Sequence, residues 1–408
     1  MVDQLEKLED GQNMKKSILM AMDAMVCGGV EKAALSFLHA LPSDKYDVTF
    51  LLDRPEGEFL PFVPDWVKIK AVQYPETVEL ERKIGSRKYI RHLIKNMQFF
   101  TFFRYLPSFI KEFLYPSQKR LLMIRRHLNT ALVPNEKFDI ALAYSQLGQL
   151  VLVSEKINAD KKMTWLHGEI SALSDMTKFI PYYNKMDVIY GVSLATCNEF
   201  KKYYPKVTSP IKHLPYIINK AMIQNLAAQY PISLQDKNKM FILSVGRVAH
   251  QKGFDLIPEI AKRLKREGYS FEWFIIGDGF MLDELHKLIE TCDVKNEVKM
   301  LGMLLNPYPY FKACDIYVQP SRHEGFCLTV AEARIFQKPI VATDFAGARE
   351  QLEDGRAGLI TQFDVNELTS AVKSLLDLPE LRNNFSERLA FHEIDTTADV
   401  EKFLLMNK

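Results

Sequence analysis

From Ser17 onward, short apolar runs alternate with longer stretches whose apolar residues recur every three or four positions. The runs SILMAM (17–22), DVTFLL (47–52), VKIKAV (67–72), FDIALAY (138–144), KMTWLH (162–167) and VIYGVS (188–193) have strand length. Helix-period stretches such as VEKAALSFLHAL (30–41) lie between several of them. That alternation reads as βαβ units around a buried parallel sheet. A second series follows: FILSVG (241–246), FEWFIIG (271–277), VKMLGM (298–303), DIYVQP (315–320) and PIVAT (339–343), with DLIPEIAKRLKREG (255–268) and FMLDELHKLIETC (280–292) as helical spacers. Pro205, Pro210, Pro215 and Pro231 and the polar stretch Gln235 to Lys239 separate the two series. The pattern predicts two α/β halves, each binding outside its strand C-termini, with a cleft between them as the expected site.

Composition adds a size and a charge. At 408 residues the chain suits two or three domains, each with its own core. With 53 Lys+Arg against 51 Asp+Glu the formal charge is +2, which taken alone excludes an anionic membrane or nucleic-acid partner. The distribution removes that exclusion. Residues 82–127 hold twelve Lys or Arg and one acid, Glu112, interleaved with nine aromatic residues, while the rest of the chain is net acidic. Basic residues mixed with rings at helical spacing predict an interfacial segment on an anionic leaflet, with a helical excursion that packs its rings inward as the alternative. Nucleic acid is not expected, because no strand or loop module for base stacking is visible.

Cys27, Cys197, Cys292, Cys314 and Cys327 form no CxxC pair and stand beside no His cluster, so neither a disulfide framework nor a zinc site is suggested. A reducing, cytoplasmic compartment is the expectation. Met1 to Gln12 lack the basic-then-apolar order of a signal peptide, and no run of 18 apolar residues occurs.

Candidate chemistry concentrates in the second half. Strand FILSVG runs into GRVAHQKG, placing Arg247 and Lys252 on the loop that leaves it, with a helix expected to start near Gly253. Two cations beside a helix N-terminus suit a diphosphate. The turn IIGDG (275–279) lets backbone approach a ligand at Gly277. In EGFCLTVAE, Glu324 and Glu332 have seven residues between them, and Gly325 is expected to open a helix. Along one helix they would stand up to roughly 12 Å apart. That is too far for the pair of a double-displacement glycosidase, which needs about 5–5.5 Å. They could bracket an elongated ligand, one near a sugar and one near a ribose, with the amides of 326–329 facing a phosphate between them.

Together GRVAHQKG, IIGDG, EGFCLTVAE and the N-terminal loop GGVEKAAL resemble the retaining glycosyltransferases of family 4 over nearly the whole chain. The resemblance implies the GT-B fold, two Rossmann-like domains facing a central cleft. It implies an acceptor-side domain over 14–215, a nucleotide-sugar domain over 216–385 and a C-terminal helix over 386–408 crossing back. Arg247 and Lys252 then match the pair binding the donor diphosphate, Glu324 the acid near the donor sugar, and Glu332 the ligand of the ribose hydroxyls. Gly28 and Gly29 match the loop approaching the phosphates from the opposite wall. Gly325, Phe326, Cys327 and Leu328 match the donor-side turn, and His167 in TWLHGE matches a histidine near the reaction centre.

The implied donor is a UDP- or GDP-linked sugar and the implied acceptor a glycan or lipid-linked glycan, reached by an enzyme peripheral to the inner face of a membrane. No cofactor is required. D-x-D, through which metal-dependent transferases hold a nucleotide sugar, does not occur. Two departures stand out: Cys327 replaces the glycine of EGFGL, and DFAGARE keeps only Gly347 ahead of Glu350. An epimerase or phosphorylase on the same fold, or a membrane-associated scaffold without activity, are the alternatives. The first two lack a matching acid set or cofactor lysine, and the intact Arg247, Lys252, Glu324 and Glu332 argue against the third.

Overall fold

In the computed structural model, residues 15–115, 119–145, 147–168, 176–232, 236, 238–391 and 394–400 are described. Two separate sheets form. The first contains β1 (Lys16–Met22), β2 (Tyr46–Leu52), β3 (Lys68–Ala71), β4 (Phe138–Ala143), β5 (Ala159–Leu166), β6 (Val188–Gly191) and β7 (Ile211–His213), in the order β3-β2-β1-β4-β5-β6-β7. The second contains β8 (Met240–Val245), β9 (Phe271–Ile276), β10 (Val298–Met300), β11 (Ile316–Gln319), β12 (Ile340–Thr343) and β13 (Leu359–Thr361), in the order β10-β9-β8-β11-β12-β13. All strand pairings in both sheets are parallel. In each, the order reverses beside the first strand, at β1/β4 and at β8/β11. Loops leaving those neighbours diverge to opposite faces and open a crevice, the usual place for a ligand.

One buried cluster joins the two sheets. It runs from Met20, Phe50 and Trp165 through Tyr216 and Ile217 to Phe326, Leu243 and Tyr317. The chain's last described segment stitches the same link. Thr396 Oγ1 donates to the Tyr216 carbonyl at 2.8 Å and accepts from the Ile218 amide at 2.8 Å, and Asp395 accepts from the Lys220 amide at 3.1 Å. Helix Pro379–Phe391 precedes it; residues 394–398 are non-helical and tied to the link, and helix begins again at Asp399 and Val400. Of the helix expected over 386–408, the residues up to Phe391 and again Asp399 and Val400 are helical, 394–398 are not, and residues 392, 393 and 401–408 lie outside the described residues.

Helix α1 (Gly29–Ala40) follows β1. The basic aromatic stretch forms most of a four-helix excursion: α2 (Glu76–Ile84), α3 (Ser86–Lys95), α4 (Phe99–Leu114) and α5 (Lys119–Thr130). It has a small core of its own, Tyr89, Leu93 and Phe109, with Phe102 and Tyr105 packed against it. Five rings point outward instead: Phe99, Phe100, Phe103, Phe113 and Tyr115 are exposed, Phe100 at 83% and Phe113 at 86%.

The charges divide in the same way. Arg126 is buried in ion pairs with Glu81 of α2 and Glu112 of α4, and it donates to Ser108 at 3.0 Å and Ser86 at 3.3 Å. His127 stands 3.3 Å from Glu81, and the Arg126 guanidinium lies 4.8 Å over the Phe109 ring. Burial opposes ionisation of Glu81, but the His127 hydrogen bond and the Arg126 charge prevail and hold its pKa below the ordinary value. One guanidinium thus staples four helices. Arg126→Met would strand two buried carboxylates and should destabilise by roughly 3–5 kcal/mol. Thermal unfolding followed by circular dichroism reads this, and an unchanged midpoint would deny the network its role.

Candidate active site

The loop leaving β8 and the loop leaving β11 lie side by side at the second sheet's crevice. Arg322 stitches them. Its guanidinium takes both Asp255 oxygens at 2.7 Å each and the His250 carbonyl at 2.6 Å, while its amide donates to the Gln251 carbonyl at 2.7 Å. Gln251 returns a bond from Nε2 to the His323 carbonyl at 2.8 Å. The helix expected from Gly253 starts later: two 3-10 turns, His250–Lys252 and Phe254–Leu256, come first, and the α-helix spans Ile257–Arg266. Gly253 between the turns has φ +67°, and a Cβ there would collide with the Pro320 carbonyl, so glycine is needed for the two loops to touch.

This stitching brings Lys252 Nζ to 2.5 Å from Glu324 Oε1. A polar chain fixes the carboxylate from behind. Ser321 Oγ donates to Glu324 at 3.0 Å and accepts from Gln319 Nε2 at 2.8 Å, and Gln319 Oε1 accepts from Tyr317 at 2.6 Å and Thr329 at 3.0 Å. Burial works to lower the Lys252 pKa, but the adjacent Glu324 charge raises it above its ordinary value, so the lysine stays a cation.

The Glu324 position corrects the expected helix. Helix Leu328–Ile335 begins after Cys327, so Glu324 sits on the turn before it and only Glu332 lies on it. The turn is made by Cys327 at φ +70°, ψ +83°, a left-handed conformation that favours glycine. The departure from EGFGL therefore keeps the backbone shape and adds a buried thiol, whose pKa burial pushes up to about 12. The first amides of that helix, at Leu328 and Thr329, precede its hydrogen-bond ladder and are available to an anion.

The first domain closes over these groups. Gly325 lies against the backbone of the loop leaving β5: a Cβ on it would stand 2.6 Å from the His167 carbonyl oxygen and 2.9 Å from the Gly168 carbonyl carbon. A Cβ at Gly29 would lie 3.8 Å from Leu328, and one at Gly28 would crowd Glu31 and stand 3.4 Å from Arg247 Nη2. Phe326 packs edge-on to Tyr216, ring centroids 5.6 Å apart. Glu350 accepts from the Ala195 amide, at the start of helix Leu194–Tyr203, at 3.0 Å. Gly277 has φ +147° and a Cβ there would strike the Gly246 carbonyl oxygen, so glycine lets the loops leaving β8 and β9 touch.

His167 is fully engaged by protein. Nε2 faces the Tyr144 carbonyl, which can only accept, so Nε2 carries the proton and Nδ1 accepts from the Tyr216 hydroxyl at 2.9 Å. Its ring lies parallel to Tyr216, at 7° and 5.5 Å. Sequence reasoning missed Tyr216, Tyr144, Ser321, Gln319, Lys32 and Tyr308. Tyr216 lies in the interdomain link, where no motif marks it. Lys32 sits one turn past Gly28 on α1, a spacing that could have put it beside the glycine loop.

Residues 228–390 match the family described as Glycosyl transferases group 1. Alpha-D-kanosaminyltransferase of Streptomyces kanamyceticus is 32% identical over 156 residues, 38% of this chain and 40% of that protein. A Campylobacter jejuni transferase, N-acetylgalactosamine-N,N'-diacetylbacillosaminyl-diphospho-undecaprenol 4-alpha-N-acetylgalactosaminyltransferase, is 30% identical over 232 residues, 55% of this chain and 61% of that protein. The match to these curated relatives thus spans about half of their length. Anabaena HepE, solved with UDP and glucose, superposes with a TM-score of 0.69 at 15% identity, covering 96% of this chain and 98% of that one.

Burial lowers the His167 pKa to about 4, so the ring is neutral at pH 7. A histidine held neutral when folded contributes no penalty above its unfolded pKa, and stability falls as pH drops from about 6.5 through about 4. His167→Gln removes that titration, so the loss of melting temperature between those two pH values should shrink. Identical acid profiles for parent and variant would contradict it.

Proposed function

We propose, for a chain that has the GT-B fold and whose residues 228–390 belong to the glycosyl transferases group 1, a retaining transfer of sugar from a nucleotide-diphosphate donor to a lipid-linked glycan at a membrane surface. The observation that carries this reading is Lys252, held as a cation against Glu324 where the β8 and β11 loops meet. Arg247 reaches toward Gly28 on the opposite wall. A diphosphate between these walls would meet two fixed cations and the leading amides of helix Leu328–Ile335, which stabilise the negative charge that builds as the sugar–phosphate bond breaks. Glu324, oriented by Ser321, would stand beside the sugar.

Retention on this arrangement needs no nucleophile dyad. Glu324 is paired with a lysine rather than with a second acid, which favours attack on the face the diphosphate leaves, with the departing phosphate oxygen taking the acceptor's proton. His167 then supports the cleft floor as a neutral, doubly hydrogen-bonded ring. Closure of the domains around the donor excludes water that would otherwise hydrolyse it. UDP is the first donor base to try, since HepE was solved with it.

The acceptor side is read from the excursion. No described helix is long and apolar enough to cross a membrane. The exposed rings of α4 stand among exposed cations: Lys83, Lys88, Arg91, Lys95, Lys111, Lys119, Arg120 and Arg125. Arg126 is spent internally and Arg82 pairs with Asp53, so neither contributes to that face. Each inserted ring gains about 1.5–3 kcal/mol, and each cation about 1 kcal/mol near an anionic leaflet. A diphospho-undecaprenol acceptor, named for the Campylobacter relative, suits an enzyme held there.

Nucleotide release from a panel of UDP- and GDP-sugars tests the chemistry. Glu324→Gln and Lys252→Ala should each lower turnover roughly a hundredfold or more, and parent-like turnover by both would remove the site assignment. Sedimentation with phosphatidylglycerol vesicles at physiological salt tests the docking. The parent should pellet with the vesicles and the double variant Phe100→Ser/Phe113→Ser should stay in solution; a parent that stays in solution as well would sink the membrane reading.

A further inference from the structure

The missing side chain at Gly28 leaves a gap in the loop after β1, and two charged groups from opposite walls of the cleft converge on it. A Cβ there would stand 2.2 Å from Glu31 Oε2 and 3.4 Å from Arg247 Nη2. Glu31 is the third residue of α1 and folds back over the helix start, where Gly28 is the N-cap and supplies no side-chain bond. Arg247 belongs to the loop leaving β8 in the other domain and is exposed, while Glu31 is half-buried. The gap beside the glycine is therefore occupied by the protein's own carboxylate. That carboxylate does what a phosphate oxygen would do there: it sets negative charge against Arg247 and against the positive end of α1.

Its surroundings make the charge easy to remove. Burial, with the Asp23 charge at the end of β1, opposes ionisation and prevails over the Glu31 backbone amide and Arg247, which favour it, so its pKa stands above the ordinary carboxylate value. The other titratable groups in its field are Cys27 of the same loop, Tyr144 at the end of β4 and Tyr216 of the interdomain link, each held neutral by burial. Lys32, the next residue, is turned to Glu332, 2.6 Å away, and lies over the Tyr308 ring. Arg247 is thus the cation on which an ionised Glu31 depends. A diphosphate that takes Arg247 removes that support and adds a like charge beside the carboxylate.

We propose that Glu31 is a stand-in for the donor diphosphate in the empty cleft, and that the diphosphate displaces it from Arg247 by converting it to the neutral acid, so that nucleotide binding takes up a proton. This rests on the nucleotide-sugar reading above. The proton enters from solvent on binding and returns on release. As the neutral acid, Glu31 donates a hydrogen bond where its carboxylate would repel a phosphate oxygen.

Calorimetry of UDP and GDP on the full chain, for the parent and Glu31→Gln, carries the test. Titrations in two buffers of different ionisation enthalpy count the protons taken up, and the affinities are followed from about pH 8 down to about pH 5.5, a span that brackets a raised carboxylate. The parent should take up more proton than the Glu31→Gln protein. Glutamine keeps the shape without the charge, so the variant should bind about tenfold tighter at the alkaline end, modest beside the repulsion of two like charges at a protein surface. That advantage should vanish toward the acid end, where the parent is already neutral; taking the ratio of the two proteins cancels the nucleotide's own titration. Failure of both proteins to bind either nucleotide would overturn the donor reading itself. Where binding is seen, equal proton uptake, a variant that binds no tighter than the parent, or an advantage that does not change with pH would each overturn the role given to Glu31 and leave the donor reading standing.

Discussion

Everything at the cleft depends on how two neighbouring parallel strands part company. β8 and β11 are adjacent, yet their following segments leave toward opposite faces of the sheet. The gap that opens must be bridged by the loops themselves, and Arg322 does this with a bidentate grip on Asp255 and a bond to the His250 carbonyl. Its guanidinium also lies 4.2 Å over the Phe363 ring. Only with these loops drawn together does Lys252 meet Glu324, and only with Gly253 in a left-handed conformation can they touch.

Most of the strands were legible because buried parallel strands are rich in apolar residues, and eleven of the thirteen strands among the described residues coincide with apolar runs. The other two, β7 (IKH) and β13 (LIT), are three-residue strands at the sheet ends that no longer apolar run was read to mark. Helix starts were less legible. A glycine or a charged residue marks a loop exit, but whether α-helix or 3-10 turns follow depends on tertiary contacts such as Gly253 against Pro320. Glu324 was expected on a helix and stands before one, because the turn at Cys327 uses a backbone conformation that a cysteine does not advertise.

Pair identities across the cleft were the least legible. Lys32 and Glu332 are three hundred residues apart in sequence, and nothing local to either announces the other. The basic excursion shows the same limit in reverse. Its twelve cations look alike in sequence, yet Arg126 is an internal staple and Arg82 a partner of Asp53, while others face outward. Burial, which decides between these fates, is set by α2 and α4 supplying Glu81 and Glu112 at the right depth.

At Gly325 the two domains meet backbone to backbone, against His167 and Gly168. Main chain cannot rotate out of the way as a side chain can. A single methyl group at residue 325 would therefore act as a wedge between two domains that the link and the segment 394–400 keep tied together. The smallest addition the genetic code allows there would thus press the two walls apart while leaving every charged group of the cleft in the protein.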